Sequence, residues 1–116
     1  MKSTYLLKTL LASAALLVAA QSSAPAADVQ ENWTKNCGSC HGKDGRGQTK
    51  AGRMAEVKDL SDAAVQGAFT DEQAFKQIKE GLKDKSGEKF RMKPFADKLT
   101  DQEIKDLVAR VRTLKK

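Results

Sequence analysis

The residues best suited to chemistry lie together in one short segment. Its sequence is Cys37-Gly38-Ser39-Cys40-His41, which contains both cysteines and the single histidine of the chain. Two thiols three positions apart on a helical turn can add to two vinyl groups along one edge of a porphyrin, and the next imidazole then lies against the iron. This Cys-x-x-Cys-His spacing is the attachment signature of c-type haem. It predicts one covalently bound haem c, held at Cys37, Cys40 and His41.

Three other interpretations of the segment are weaker. A thiol–disulfide redox motif would need a preceding strand and a βαβ scaffold, and the sequence pattern indicates neither. A zinc site needs about four ligands, and no further Cys or His exists to complete one. A disulfide across two intervening residues would close too small a loop to stabilise the chain much.

The first residues carry the three-part pattern of a secretory signal peptide. Two lysines precede an uncharged apolar run at residues 10–20, and small residues follow it. The run has 11 residues, well short of the ~20 that span a bilayer, so we expect cleavage rather than a retained anchor. The sequence therefore predicts a signal peptide over residues 1–26, cleaved after Ala26 or Ala27, one domain over residues 28–116, and a periplasmic location.

Length and charge restrict the function further. The chain has 116 residues and a net charge of +6, which falls to +4 when the two leader lysines are removed. Chains this short bury little apolar surface, so we exclude a large enzyme with its own cleft and expect a cofactor to support the fold. The basic residues are spread along the chain without interleaved aromatics, which disfavours nucleic-acid binding. The modest positive charge favours acidic protein partners.

The pattern of residues 28–116 predicts helices separated by glycine-rich loops and no strands. Capping boxes, Thr70 with Gln73 and Thr100 with Glu103, mark the starts of two helices. The last helix is amphipathic, with apolar residues at three- and four-residue steps (Ile104, Leu107, Val108, Val111 and Leu114). The expected elements are a helix over 28–40, a loop over 42–59, a short helix over 59–67, a helix over 70–81, a loop over 83–99 and a helix from residue 100.

With these motifs the chain resembles the class I (mitochondrial-type) bacterial cytochromes c, particularly the short periplasmic members with one haem. The resemblance runs from about residue 29 to 114. It rests on the Cys37–Gly42 segment, the loop with Asp44-Gly45, the Phe90–Phe95 segment and the amphipathic C-terminal helix. It implies a small all-α fold of about three to four helices around one covalently attached haem. Carried over to this chain, it implies Cys37 and Cys40 as thioether anchors, His41 as the proximal iron ligand and Met92 as the distal one.

Two methionines remain after the leader, and the sequence itself favours one of them as the distal ligand. Met54 follows His41 by only 13 residues, whereas Met92 follows it by 51, past a complete helix. The longer segment can reach the opposite face of the ring. Met92 is also flanked by Phe90 and Phe95, which suit a dry crevice. We therefore expect Met54 to fill core space and Met92 to bind iron.

Two departures from the family pattern affect local packing. Many relatives place a proline carbonyl where it accepts a hydrogen bond from the proximal imidazole, but residues 42–93 contain no proline. Relatives often carry an aromatic residue in the last helix where this chain has Arg110. Trp33 is therefore expected to pack against the stem of Arg110 or against aliphatic residues of that helix (Leu107, Val111 or Leu114).

The expected function is one-electron transfer by a soluble, monomeric carrier rather than catalysis. His/Met ligation fills both axial positions and raises the potential, which leaves no open site for oxygen or substrate. The alternatives are a haem subunit of an oxidoreductase complex, such as a periplasmic dehydrogenase, and a haem enzyme or sensor whose sixth site opens. The segment around Met92 has more basic than acidic residues: Lys83, Lys85, Lys89, Arg91, Lys93 and Lys98 against Asp84, Glu88 and Asp97. This excess indicates either a docking face for an acidic redox partner or an ordinary solvated loop.

Overall fold

The computed structural model describes residues 28–116, which form six helices and one two-stranded hairpin. The predicted signal peptide over residues 1–26 lies outside the described residues. Between residues 28 and 116 no helix is long and apolar enough to cross a bilayer. In chain order the elements are α1 (Val29–Asn36), α2 (Gly38–His41), α3 (Lys50–Met54), α4 (Ala63–Gly67), α5 (Asp71–Glu80), β1 (Leu82–Lys83), β2 (Phe90–Met92) and α6 (Asp101–Thr113).

The C-terminal helix α6 organises the core because it packs against both α1 and α5. Four of its five predicted apolar positions are buried, and Ile104 is completely inaccessible to solvent. The fifth, Leu114, is the C-cap of the helix and is half-buried. Trp33 from α1 and Ile78 from α5 meet this stripe. The buried apolar cluster consists of Trp33, Cys37, Ile78, Leu99, Ile104, Leu107, Val108 and Val111.

Both predicted capping boxes are confirmed. At the start of α5, the Thr70 hydroxyl accepts from the Gln73 N–H at 3.1 Å, and the Gln73 side chain accepts from the Thr70 N–H at 2.8 Å. The start of α6 repeats this reciprocal pattern with Thr100 and Glu103. Each box satisfies two backbone donors that the helix itself leaves unpaired.

The predicted first helix is interrupted and the predicted loop after it contains a helix. α1 ends at Asn36, and Cys37 separates it from α2, so the expected helix over 28–40 is two elements. The expectation of an unbroken loop over 42–59 is wrong, because α3 forms there. The Thr49 side chain starts it by accepting from the Gly52 N–H at 2.8 Å.

Two further boundaries differ from the sequence prediction. α4 begins at Ala63 rather than at residue 59, because the Asp62 carboxylate caps it by accepting from the Ala64 N–H at 2.7 Å. The expectation of no strands is also wrong: the predicted loop over 83–99 includes β2, which pairs antiparallel with β1. The strands have only two and three residues and an irregular register, too short to produce an alternating pattern.

A buried polar network joins α6 to the segment around α4. Arg112 donates to the backbone carbonyls of Gln66 at 2.6 Å and Phe69 at 2.8 Å and to the Asp71 carboxylate at 2.7 Å. The Gln66 amide, only 4% exposed, donates in turn to the carbonyls of Leu60 and Val111. The network satisfies carbonyl groups that burial would otherwise leave unpaired.

Glu103 links α1 to α6 and should make stability depend on acid pH. Its carboxylate accepts from the Asn32 amide at 2.7 Å. This bond, together with hydrogen bonds from Thr100, holds the pKa of Glu103 below its ordinary value. Because the folded-state pKa is the lower one, the stabilisation is fully present above the unfolded-state pKa of about 4.3 and is lost as the pH falls through the folded-state value.

We therefore expect Glu103→Gln to weaken the dependence of stability on pH in that acid range. Glutamine can still complete the capping box but has no charge to lose. The measurement is the urea midpoint of the mature protein at neutral pH and below the ordinary pKa of glutamate. Glu80→Gln is the control, since Glu80 makes only an exposed ion pair with Lys76 at 4.0 Å. Equal acid sensitivity in wild type and Glu103→Gln would contradict the prediction.

Candidate functional site

The Cys-x-x-Cys-His segment forms the junction between α1 and α2. The Cys37 N–H donates to the Trp33 carbonyl at 2.9 Å, and the Cys37 carbonyl accepts from the His41 N–H at 2.9 Å. Cys37 is buried in the core, whereas Cys40 and His41 are half-buried. The two cysteines are not joined to each other in a disulfide. One helical turn therefore presents two thiols and an imidazole, as the sequence predicted.

Burial determines the protonation of these groups. It raises the pKa of the Cys37 thiol to about 11, against an opposing effect of the Arg110 charge. A thiol that stays protonated is a poor nucleophile, which disfavours the thiol–disulfide redox interpretation. Burial also lowers the pKa of His41 below its ordinary value. The imidazole is therefore neutral at physiological pH, and the neutral form is the one that binds a metal.

The backbone around His41 is held by the loop that follows it. The Thr49 hydroxyl donates to the Cys40 carbonyl at 2.8 Å, and the Gly47 N–H donates to the His41 carbonyl at 2.8 Å. Gly52 of α3 lies directly against this backbone, since a Cβ there would meet the carbonyl oxygens of Cys40 and Gly47. α3 thus packs on α2 at a distance that only glycine permits.

Trp33 packs beside the Cys-x-x-Cys-His segment and contacts its far end. Its indole N–H donates to the Gly42 carbonyl at 3.0 Å, and its ring centroid is 6.0 Å from that of His41. The expected aliphatic contacts with α6 are present in the core cluster. Arg110 also meets Trp33, with its guanidinium carbon 5.3 Å from the ring centroid. A cation over the indole face therefore occupies the place of the family's aromatic residue.

The buried ring nitrogen of His41, Nδ1, has no protein partner in the described chain. Among residues 28–116, no hydrogen-bond acceptor or donor reaches the buried Nδ1. No hydrogen-bond acceptor for this nitrogen could be predicted from the sequence, and none is present in the described residues. Nδ1 is the atom that, in many relatives, donates to the proline carbonyl.

Two adjoining cavities form a crevice beside His41. Their volumes are about 130 and 310 Å³, far above the roughly 15 Å³ that admits one water, so they are not packing gaps. Both are lined by His41 and Met92. Many of the other lining groups are apolar and come from α1, α5, α6 and the segment around α4: Trp33, Leu60, Val65, Phe69, Ala74, Ile78, Leu107 and Val111.

Met92 reaches this crevice from β2. It is half-buried, pairs with Leu82 of β1, and its sulfur accepts from the Gln77 side-chain amide at 3.7 Å. Gly81 lies against the Met92 carbonyl, where a Cβ would approach to 2.6 Å. The hairpin and α5 thus orient the thioether toward the same crevice that His41 lines.

Two sequence expectations about neighbouring side chains are wrong. Met54 does not fill core space, because it is 79% exposed at the end of α3. Phe90 does not line the crevice: it is 46% exposed, and the Lys83 ammonium lies 5.3 Å from its ring centroid. In a regular strand Phe90 and Met92 would lie on the same face. The register shift between Leu82 and Lys83 of β1 breaks this alternation opposite β2, so the two side chains differ in burial. Phe95 does pack against the core.

The donor set fits a haem better than a lone metal ion. No cluster of three or more His, Cys, Asp or Glu side chains suited to a metal ion exists in the described part of the chain. A porphyrin needs instead a long apolar crevice, two thiols along one edge, a neutral imidazole and a soft ligand such as a thioether. All four features meet here, and the orphaned Nδ1 lies on an imidazole already held in place by its backbone.

Comparison with known proteins agrees with this geometry. The family model for cytochrome c matches residues 26–115. The chain belongs to the cytochrome c family. Its fold is the small all-α fold of the class I proteins with one haem, and its cofactor is haem c, attached covalently. The helices number six rather than three to four because α2 and α3 are additional short elements.

The cytochrome is similar to solved structures. One is the KustC0563 c-type cytochrome, with 36% sequence identity and a TM-score of 0.66, covering 77% of this chain and 99% of that one. Another is a mutant of that protein, with 35% identity and a TM-score of 0.65, covering 76% of this chain and 99% of that one. No curated protein matches the chain.

Sequence reasoning missed several residues that shape the site. Gln77 contacts the Met92 sulfur, Thr49 holds the Cys40 carbonyl, and Gly52 allows α3 to approach. The Thr49 cap had a usable signal, since Thr is a favoured N-cap residue. The Gln77 contact had none, because it depends on the tertiary position of β2 against α5.

Proposed function

We propose that this cytochrome is a soluble carrier of single electrons, with Cys37 and Cys40 as thioether anchors and His41 and Met92 as axial iron ligands. The observation that carries the proposal is that His41 and Met92 line one apolar crevice, whereas Met54 lies on the surface. When bound, the haem supplies one iron that gains or loses a single electron.

The protein groups around the crevice support that role. The apolar lining excludes water and keeps the environment similar in both redox states. The Gln77 amide donates to the Met92 sulfur and so limits its rotation. With protein ligands on both sides, the site offers substrate no open position, which favours a carrier over an enzyme or a ligand sensor.

The test uses the purified mature holoprotein. We expect a redox titration that fits a one-electron step, no uptake of carbon monoxide by the ferrous form, and a monomer in sedimentation. Prompt carbon monoxide binding would instead support a haem enzyme or sensor. Stable co-purification with a dehydrogenase would support the complex-subunit alternative.

We also propose that the mature chain works in the periplasm. The support is the three-part leader pattern over residues 1–26. Intact mass and N-terminal sequencing of the protein from a periplasmic fraction test it. A chain that retains its leader, or that remains in the cytoplasmic fraction, would contradict the proposal.

We further propose that the hairpin presents the docking face for an acidic redox partner. Lys83, Lys89 and Phe90 are exposed on it, and Leu82, 38% exposed, also lines the crevice. The ion pairs of the described chain involve neither lysine. Apolar groups surrounded by uncompensated lysines suit a transient, salt-sensitive encounter near the cofactor.

Charge reversal of both lysines should slow reaction with anionic electron acceptors. We expect Lys83→Glu with Lys89→Glu to reduce the rate of oxidation by ferricyanide several-fold at an ionic strength of about 0.01 M, with the difference nearly gone at about 1 M. Stopped-flow absorbance measures the rate. Lys105→Glu with Lys115→Glu makes the same charge change on and beyond α6, and should have a smaller effect. Equal effects of the two double variants would contradict a local docking face.

A further inference from the structure

Arg91 joins two segments that line the same cavity. It lies directly before Met92 in β2, and its guanidinium donates to the Ala55 carbonyl through Nε at 3.1 Å and Nη2 at 2.9 Å. Nη2 also donates to the Glu56 carbonyl at 3.0 Å. All four residues line the cavity that His41 also lines. One side chain therefore connects two parts of the cavity lining that are distant in sequence.

We propose that Arg91 is a positioning residue that latches the Met92 strand to the 55–56 segment and slows the release of the Met92 sulfur from iron. The proposal rests on the proposed function, in which Met92 is the distal ligand. A planar guanidinium can donate to two carbonyls at once in a fixed geometry, which the single ammonium of lysine cannot reproduce. Hydrogen bonds from a charged donor are also the stronger ones.

The backbone of the 55–56 segment supports this role. Glu56 has a φ of +55°, in the left-handed region that disfavours a residue with a side chain. Such a conformation persists where surrounding contacts hold it, and the Arg91 bond to the Glu56 carbonyl is one of them. The sequence placed Arg91 among the basic residues of either a docking face or a solvated loop, but its side chain bonds to the 55–56 backbone instead.

The carbonyls, rather than the Glu56 carboxylate, are the groups that matter. The carboxylate oxygen is 3.8 Å from Arg91 Nη2, and the Glu56 side chain is 80% exposed. An ion pair of that length and exposure contributes little. The latch therefore depends on the shape of the guanidinium, and its positive charge alone is not sufficient.

The test measures how fast imidazole, used as the probe, displaces the distal ligand of the ferric holoprotein. We expect Arg91→Ala and Arg91→Lys both to react roughly tenfold faster than wild type, as the loss of charged hydrogen bonds implies. Glu56→Gln keeps both carbonyls and should react at the wild-type rate. Amide hydrogen exchange in β2 should accelerate in the two Arg91 variants, which gives a readout independent of iron ligation.

The outcomes separate the latch from the ligand assignment. A wild-type imidazole rate in Arg91→Ala, with a fast rate in Met92→Ala, would overturn the latch alone. A wild-type rate in Arg91→Lys, or acceleration by Glu56→Gln equal to that of Arg91→Ala, would also overturn it, since charge would then explain the effect. Equal rates in wild type and Met92→Ala would show that the ligand assignment itself is wrong.

Discussion

Replacing Met92 by alanine is expected to convert a ferrous protein that is inert to carbon monoxide into one that binds it immediately. Alanine removes the thioether that lines the crevice with His41, and no other methionine lines either cavity. The sixth position would then be open to small ligands. The ferric form should also lose the weak sulfur-to-iron absorption band near the red end of its spectrum. Both changes are large enough to read from absorption spectra alone.

Met54→Ala is the matched control for this variant. It makes the same side-chain change at the other methionine of the described chain, which is 79% exposed and contacts neither cavity. We expect its spectra and its lack of reaction with carbon monoxide to match those of wild type. Loss of the sulfur-to-iron band in Met54→Ala, or its persistence in Met92→Ala, would refute the assignment of the distal ligand.

The parts of the fold that were predictable are those with local causes. A capping box depends on residues three positions apart, so Thr70 and Thr100 allowed the starts of α5 and α6 to be predicted from the sequence. The apolar stripe of α6 repeats over about two turns, from Ile104 to Val111, which made its buried face predictable. The attachment segment was predictable for the same reason, since its chemistry needs only adjacent residues in one turn.

The parts that escaped prediction depend on distant contacts or on very short elements. α3 has five residues and β1 has two, which is too few for any periodicity to emerge. Arg112 makes hydrogen bonds to residues more than 40 positions back along the chain, which no local sequence pattern indicates. Phe90 was assigned to the crevice because it neighbours Met92, but a strand residue two positions away need not share its neighbour's burial when the register is irregular.

Within the candidate site, too, features with local causes were predictable and features that depend on distant contacts were not. Met92 could be favoured from chain length, because 51 residues are enough to reach the far side of a haem. The residues that position Met92 could not be predicted from the sequence. Gln77 and Arg91 make their contacts only when β2 packs against α5 and the 55–56 segment. The ligands of such a site are thus easier to find from sequence than the residues that hold them.

Gly52→Ala is expected to destabilise the protein by about 3 kcal/mol, a cost typical of severe overpacking. A Cβ at this position would overlap the Cys40 carbonyl, approach the Gly47 carbonyl to 2.6 Å and reach the Thr49 hydroxyl at 2.8 Å. Two of these atoms are backbone and cannot rotate away. α3 would have to move away from α2. This movement would break the hydrogen bonds of the Thr49 hydroxyl to the Cys40 carbonyl and the Gly52 N–H, and would leave the turn that contains His41 less firmly held.

Gly67→Ala is the matched control, because it makes the same change in another short helix. A Cβ at Gly67 meets nothing within 4 Å, so alanine should be neutral or stabilise the protein by about 0.5–1 kcal/mol through its better helix propensity. Urea unfolding of the two holoproteins measures both values. If Gly52→Ala were as stable as Gly67→Ala, the close approach of α3 to the attachment turn would not be a feature of the folded protein, and Gly52 would have no part in positioning His41.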